Sequence, residues 1–280
     1  MNKNIDFSSK FKSANILSLL IFITSVLFIL FKGLNYGIDF KGGTLIELRA
    51  DNKNINISEI RSSLNSMNLG DINVKEFGKE GDYLIKVEQK TESNNQLIPE
   101  IKKTLINNLN AEIDFRRVEN VGPKVSSELL QSGIIAISLS LIAMLFYIWI
   151  RFEWQFSVGS IVALFHDVII TIGIFSILSL EINLSIIAAV LTIVGYSMND
   201  TVVIYDRIRE NLNKYTRLNI NEIANLSINE TLSRTIITSL TTLLALLSIY
   251  ILGGEILRGF SFAMILGVLI GTYSSIFVAA

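Results

Sequence analysis

Ala14–Phe31 reads ANILSLLIFITSVLFILF, a run without a single charged side chain. A hydrocarbon core of about 30 Å takes about 20 apolar residues in helix, so this stretch is long enough to cross one. Lys3, Lys10 and Lys12 precede it in the manner of a signal peptide. Yet Phe28, Leu30 and Phe31 stand where a small-residue cleavage site would be needed, so it reads as an uncleaved first span after residues 1–13. Outward from it the same pattern returns at 132–150, 155–180, 184–205, 235–252 and 259–280. Composition agrees: of 280 residues 50% are hydrophobic and 18% charged, with a mean hydropathy of +0.50. Soluble domains carry about 25% charge. The chain is a polytopic α-helical membrane protein with six transmembrane helices.

Several kinds of chemistry drop out early. With no cysteine there are no disulfides, thiol nucleophiles, iron–sulfur clusters or thiolate zinc sites. His166 is the single histidine, so a mechanism needing two imidazoles is excluded. A net charge of −1, from 24 basic and 25 acidic residues, leaves no electrostatic footprint for nucleic acid. No metal and no cofactor are expected. Orientation follows from Lys and Arg near the span ends. The N-terminal lysines, Arg151, and Arg207, Arg209, Lys214 and Arg217 mark one side as cytoplasmic, with both termini on it. Residues 32–131 then lie outside.

Between spans one and two the pattern becomes that of a water-soluble fold. Thr44–Ala50 alternates as a strand, and Ile57–Leu69 has helical spacing. Ile72–Phe77 and Tyr83–Glu88 read as strands joined by a turn at Gly78–Asp82. Ile98–Leu109 is a second amphipathic helix and Glu112–Val118 a last strand. The order β-α-β-β-α-β is the split, ferredoxin-like arrangement, an α+β extracytoplasmic domain. Its surface holds no catalytic cluster and reads as a structural or protein-contacting module. Pro123 suits the first turn of a helix leading into span two, a connection that would transmit tilt. In Asn35–Thr44 (NYGIDFKGGT), Gly37, Asp39, Gly42 and Gly43 are expected to form a structural tight turn.

Ionisable residues inside spans are rare and usually functional. His166 and Asp167 sit near the middle of span three, Asp200 in span four, and Arg234 at the opening of span five. Asp200 lies about 7 Å from the cytoplasmic boundary at 1.5 Å per residue, and Arg234 at a similar depth, so an Asp200–Arg234 ion pair is expected. Ala188, Thr192, Gly195 and Asn199 form a small-residue stripe of the kind that packs helices closely, with Gly195 as its closest point. Asp200 is therefore expected to face the bundle interior, with Tyr196, Asn199 and Thr201 as supporting polar groups. His166–Asp167 reads equally as a functional pair or as a polar contact to another subunit.

At these residues the sequence resembles the SecD/SecF family of protein-export membrane proteins, in the resistance–nodulation–division superfamily. The motifs are YGIDFKGGT at Tyr36–Thr44, VGP at Val121–Pro123, HDV at His166–Val168, GYSMNDTVVIYDRIREN at Gly195–Asn211 and RTIITSLTT at Arg234–Thr242. The resemblance implies protein export driven by proton-motive force at the bacterial cytoplasmic (inner) membrane. It makes Asp200 the proton-carrying carboxylate and Arg234 its basic neighbour. The implied partners are SecD, the Sec translocon (SecY, SecE, SecG), YajC, translocating preprotein chains and membrane lipid. The family usually continues past Ser274–Ala280 into a basic cytoplasmic tail. The alternative is a small-molecule or lipid exporter of the same superfamily, for which one ferredoxin-like unit leaves little room. An intramembrane hydrolase lacks a nucleophile motif, a metal-ligand set and paired Gly-x-Gly-Asp aspartates; the chain is read as no enzyme. A passive scaffold would use the ion pairs for assembly alone.

Overall fold

A computed structural model describes residues 5–51, 55–67, 72–76, 80–87, 97–109 and 112–280. Its elements run α1 (Phe11–Phe31), β1 (Asn35–Tyr36), α2 (Ile38–Lys41), β2 (Gly43–Ala50), α3 (Ile57–Asn65), β3 (Ile72–Glu76), β4 (Asp82–Val87), α4 (Leu97–Leu109) and β5 (Ile113–Val121). Then come α5 (Pro123–Arg151), α6 (Trp154–Ile177), β6 (Glu181–Ile182), α7 (Leu184–Lys214), α8 (Ile220–Leu252) and α9 (Glu255–Phe277). The chain divides into two compact units, residues 36–134 and the remainder.

The smaller unit is a four-stranded antiparallel sheet in the order β3-β4-β2-β5. Alternation along β2 sends Ile46, Leu48 and Ala50 to one face, where they meet Ile60 and Leu64 of α3 and Ile101 and Leu105 of α4. The opposite face combines a small apolar cluster, Ile38, Leu45 and Leu84, with charged side chains. Arg49 stands across from Asp82 in register and grips it with two bonds, Nε–Oδ1 at 2.6 Å and Nη2–Oδ2 at 2.7 Å. Asn56 and Glu59 form a capping box at the start of α3, satisfying the first-turn donors. Gly81 has φ +91°, and a Cβ there would sit 2.9 Å from the Ala50 carbonyl oxygen, so only glycine fits. Of the turn expected at 78–82, residues 78–79 lie outside the described residues, as do Phe77 and Glu88 at the ends of the expected strands.

The Gly-rich stretch differs from expectation. It is not one tight turn but a four-residue helix, α2, entered through extended Gly37, whose carbonyl accepts from Phe40 and Lys41 N–H at 3.0 Å. Asp39 lies in its first turn. Gly42 leaves it at φ +81°, and a Cβ there would press on Pro123 at 3.2 Å. Gly43, at φ +145°, opens β2 opposite Val121. The two glycines thus let the α2–β2 corner lie against the β5–α5 junction, which ties the Tyr36–Thr44 and Val121–Pro123 motifs into one feature. Strand β5 extends to Val121, three residues past the expected end, because its last residues pair with the start of β2.

Among the described residues six helices are long and apolar enough to cross a membrane. Helices α6, α7 and α9 form the centre of the larger unit; α1 lies on α6, and α8 on α7 and α9. Helix α1 buries little besides Ser18 and Ser25. Ser176 of α6 donates to the Phe28 and Gly33 carbonyls, at 3.1 and 2.7 Å, and Lys32 Nζ to that of Ile177 at 2.7 Å. Two helices outrun the expected spans: α7 continues to Lys214, and α8 begins at Ile220 instead of Thr235. The α8 extension buries Ile223, Ala224, Ser227, Ile228 and Thr231 at helical spacing, and Asn219 with Glu222 caps it. Further along α8, Thr238, Thr241, Thr242 and Ser248 each donate to the carbonyl four residues back.

Candidate functional site

The interior polar groups of α6, α7 and α9 build the site. Asp167 is fully buried, and its two oxygens are divided. Oδ2 accepts from Ser197 Oγ of α7 at 2.6 Å and Ser274 Oγ of α9 at 2.7 Å. Oδ1 lies 2.9 Å from His166 Nδ1. One carboxylate therefore links three helices inside this chain. Close packing makes the links: a Cβ on Gly271 would meet Ser197 Cβ at 3.1 Å, and one on Gly267 would strike Ile193 Cγ1 at 2.2 Å. Thr171 Oγ1 returns to the Asp167 carbonyl at 2.8 Å.

Asp200 lies one turn further along α7 and is 3% exposed. Its Oδ2 is buried with no hydrogen-bond partner. The expected Asp200–Arg234 ion pair is not formed. Arg234, at the start of the apolar part of α8, is exposed. Thr201 is buried and donates to the Ser197 carbonyl at 3.1 Å. Tyr196 OH and Thr235 Oγ1 are buried without partners among the described residues.

The small-residue stripe needs correcting as well. Ala188, Thr192, Gly195 and Asn199 are all exposed, and a Cβ on Gly195 would meet open space. The face that α7 buries runs instead through Ile186, Val190, Ile193, Ser197, Asp200 and Ile204. Asn199 is therefore not part of the surroundings of Asp200. Ser197 and Ser274 were missed by sequence reasoning, although a mid-span aspartate must find donors and hydroxyls on neighbouring spans are the available ones. Among the described residues no group of three or more His, Asp and Glu converges as a metal site would require.

The site thus holds two buried carboxylates on neighbouring helices, Asp167 bonded to groups on three helices and Asp200 with an oxygen, Oδ2, that has no partner among the described residues. The family model for the C-terminal part of the protein export membrane proteins SecD/SecF matches residues 101–280, and the SecD/SecF GG motif matches residues 27–53. Protein translocase subunit SecF of Rickettsia bellii is 46% identical over 278 residues, covering 99% of this chain and 91% of the relative. The subunit of the same name from Vibrio alginolyticus is 42% identical over 283 residues, covering 99% and 88%. The crystal structure of SecDF, a translocon-associated membrane protein from Thermus thermophilus, superposes with a TM-score of 0.89 at 37% identity. That match covers 99% of this chain and 38% of the SecDF chain. The chain belongs to the SecD/SecF family of protein-export membrane proteins.

Proposed function

We propose that this chain is an accessory subunit of the Sec protein translocase that works with a SecD partner and uses proton-motive force to promote late steps of protein export. The observation that carries the reading is Asp200: a carboxylate inside a membrane-crossing helix, buried and unbonded at Oδ2. A proton arriving from outside binds the free oxygen and cancels the charge that Arg234 attracts. Helices α7 and α8 then re-pack, and release of the proton inward resets them. One charge moving down 100 mV supplies about 2.3 kcal/mol, enough to bias a two-state element by roughly fifty-fold.

The setting is the bacterial cytoplasmic membrane, with both termini inside and the ferredoxin-like unit outside, where it meets translocating preprotein chains. The exposed stripe of Ala188, Thr192, Gly195 and Asn199 is the surface on which a SecD helix can approach closely. SecY, SecE, SecG and YajC complete the assembly.

Asp200→Asn tests the reading, because asparagine keeps the size and polarity but cannot cycle a proton. Export of a reporter protein should fall while the chain still accumulates and co-purifies with SecD. Normal, uncoupler-sensitive export from the variant refutes the proton-carrier role.

A further inference from the structure

The reading above uses Asp200 and leaves His166 and Asp167 without a task, although they are more deeply embedded. His166 is 6% exposed, its Nδ1 faces Asp167 Oδ1, and its Nε2 is buried with no partner. We propose that His166 and Asp167 form a proton relay on the outward side of Asp200: Nε2 takes up a proton and Nδ1 hands one to Asp167. The inference rests on the inward proton path proposed for Asp200 and adds the step before it.

Depth supports the order. At 1.5 Å per residue Asp167 stands about 15 Å from the Ile177 end of α6, and Asp200 about 24 Å from the Leu184 end of α7. A short turn joins those two ends, so they mark the same side. A proton coming from that side reaches the level of Asp167 first. Ser197, bonded to Asp167, is also within one turn of Asp200 on α7.

The chemistry balances within the pair. A proton binds the Nε2 lone pair of the neutral imidazole and makes an imidazolium. The Nδ1–H proton then crosses 2.9 Å to Asp167 Oδ1, leaving a neutral imidazole protonated at Nε2 and a neutral carboxylic acid. Release runs the two steps backward: Asp167 returns its proton to Nδ1 and Nε2 gives up its own toward Asp200, which restores the first tautomer. Ser197 and Ser274 both donate to Oδ2, which reserves Oδ1 for the ring. No metal or redox partner is needed. On the elements packed against α6, the other titratable groups are Tyr196, Asp200 and Tyr205 on α7, with Asp206, Arg207, Arg209, Glu210 and Lys214 toward its end, Tyr273 on α9, with Glu255 and Arg258 at its start, and Lys12 at the start of α1. Tyr205 OH and Tyr273 OH are already bonded to the Ala279 and Ala14 carbonyls, so neither competes for the ring.

Because His166 is the chain's sole histidine, ¹⁵N-histidine labelling gives one pair of ring resonances. In the labelled chain in lipid vesicles, both nitrogens should move from the neutral toward the cationic pattern when an inward proton gradient is imposed. In Asp167→Asn the neutral pattern should persist. A wild-type ring that keeps one pattern throughout overturns the proposal. In vesicles holding the chain with SecD, His166→Gln should cut proton influx at least tenfold, and added imidazole should restore part of it to His166→Gly. Normal influx in His166→Gln beside lost influx in Asp200→Asn refutes the relay and leaves Asp200 standing. Normal influx in Asp200→Asn refutes the Asp200 reading, and the nitrogen pattern still decides whether His166 exchanges protons. Loss in His166→Gln without imidazole rescue, with a fixed nitrogen pattern, assigns the pair a structural role and also refutes the relay.

Discussion

Replacing Gly173 by alanine tests how α1 is held to the bundle. The added methyl would lie 2.3 Å from Ser25 Cβ, 2.6 Å from its Oγ and 2.8 Å from its Cα, where ordinary contact begins at 3.4 Å. The Ser25 hydroxyl can rotate away, but the Cα is backbone and cannot. The two helices must therefore part by about 1 Å, and a gap of that size forfeits roughly a quarter to a half of each dispersion contact along the seam. Overpacking of this kind costs about 1–3 kcal/mol, which lowers the docked-to-undocked ratio of α1 roughly 5- to 150-fold. The hydrogen bonds that Ser176 makes to Phe28 and Gly33 and Lys32 makes to Ile177 hold the same seam, and parting the helices lengthens them too. Denaturant titration of the purified chain in mixed micelles, followed by proteolysis at the α1 end, reads the change. Ser25→Gly in the same chain removes the first two clashes and should recover most of the loss, giving a coupling above about 1 kcal/mol in the double-mutant cycle. Unchanged stability in Gly173→Ala, or strictly additive losses in the double variant, would refute the packing argument.

Three further outcomes are expected. Arg234→Ala should lower export, and Asp200→Asn with Arg234→Ala should be no worse than Asp200→Asn alone, because both changes act on one step; additive losses in the export assay argue for separate roles. Burial raises the Tyr83 phenol above its usual 10.0. Its folded value thus exceeds the unfolded one, so its contribution to stability is complete below about pH 10 and is lost as pH rises through the folded value. Subtracting the 295 nm titration of Tyr83→Phe from that of the parent chain isolates this phenol, and ionisation at or below its usual value refutes the assignment. Finally, a cysteine at Asn94, which lies outside the described residues, should react with an impermeant thiol reagent from outside intact cells, whereas one at exposed Asn213 should react only after lysis; reversed labelling overturns the orientation and the direction of the proton path.

Much of this architecture can be read from hydropathy and periodicity alone. Long apolar runs, two of them interrupted by an aspartate, announce the spans, and the alternation of Thr44–Ala50 announces a sheet strand. The α8 extension escaped because Ile223, Ala224, Ile228 and Thr231 lie among polar residues, where only their helical spacing marks a buried face. The orientation of α7 escaped for a different reason. Periodicity tells which residues share a stripe, but in a membrane both the packed face and the outer face are apolar, so Gly195 looked like a contact point when it is exposed. Depth arithmetic put Arg234 near the level of Asp200, yet it could not decide whether the two side chains meet. The pairing of Asp167 with Ser197 and Ser274 depends on residues far apart in sequence, and hydroxyls in membrane helices commonly bond their own backbone, which hides the few that do not.

The self-bonded hydroxyls of α8 bear on friction. Each of Thr238, Thr241, Thr242 and Ser248 spends its proton on its own helix, so none needs a partner across an interface. A lipid tail or neighbouring helix moving along that side meets no bond that must break before the next can form. It trades only dispersion contacts, each about 0.1–0.2 kcal/mol, so the energy surface for axial sliding is nearly smooth. Only that side of α8 is smooth: elsewhere Ser239 shares a 2.7 Å hydrogen bond with Thr272 of α9, and Asn211 of α7 donates to Ser227 and Glu230 at 2.9 and 2.8 Å.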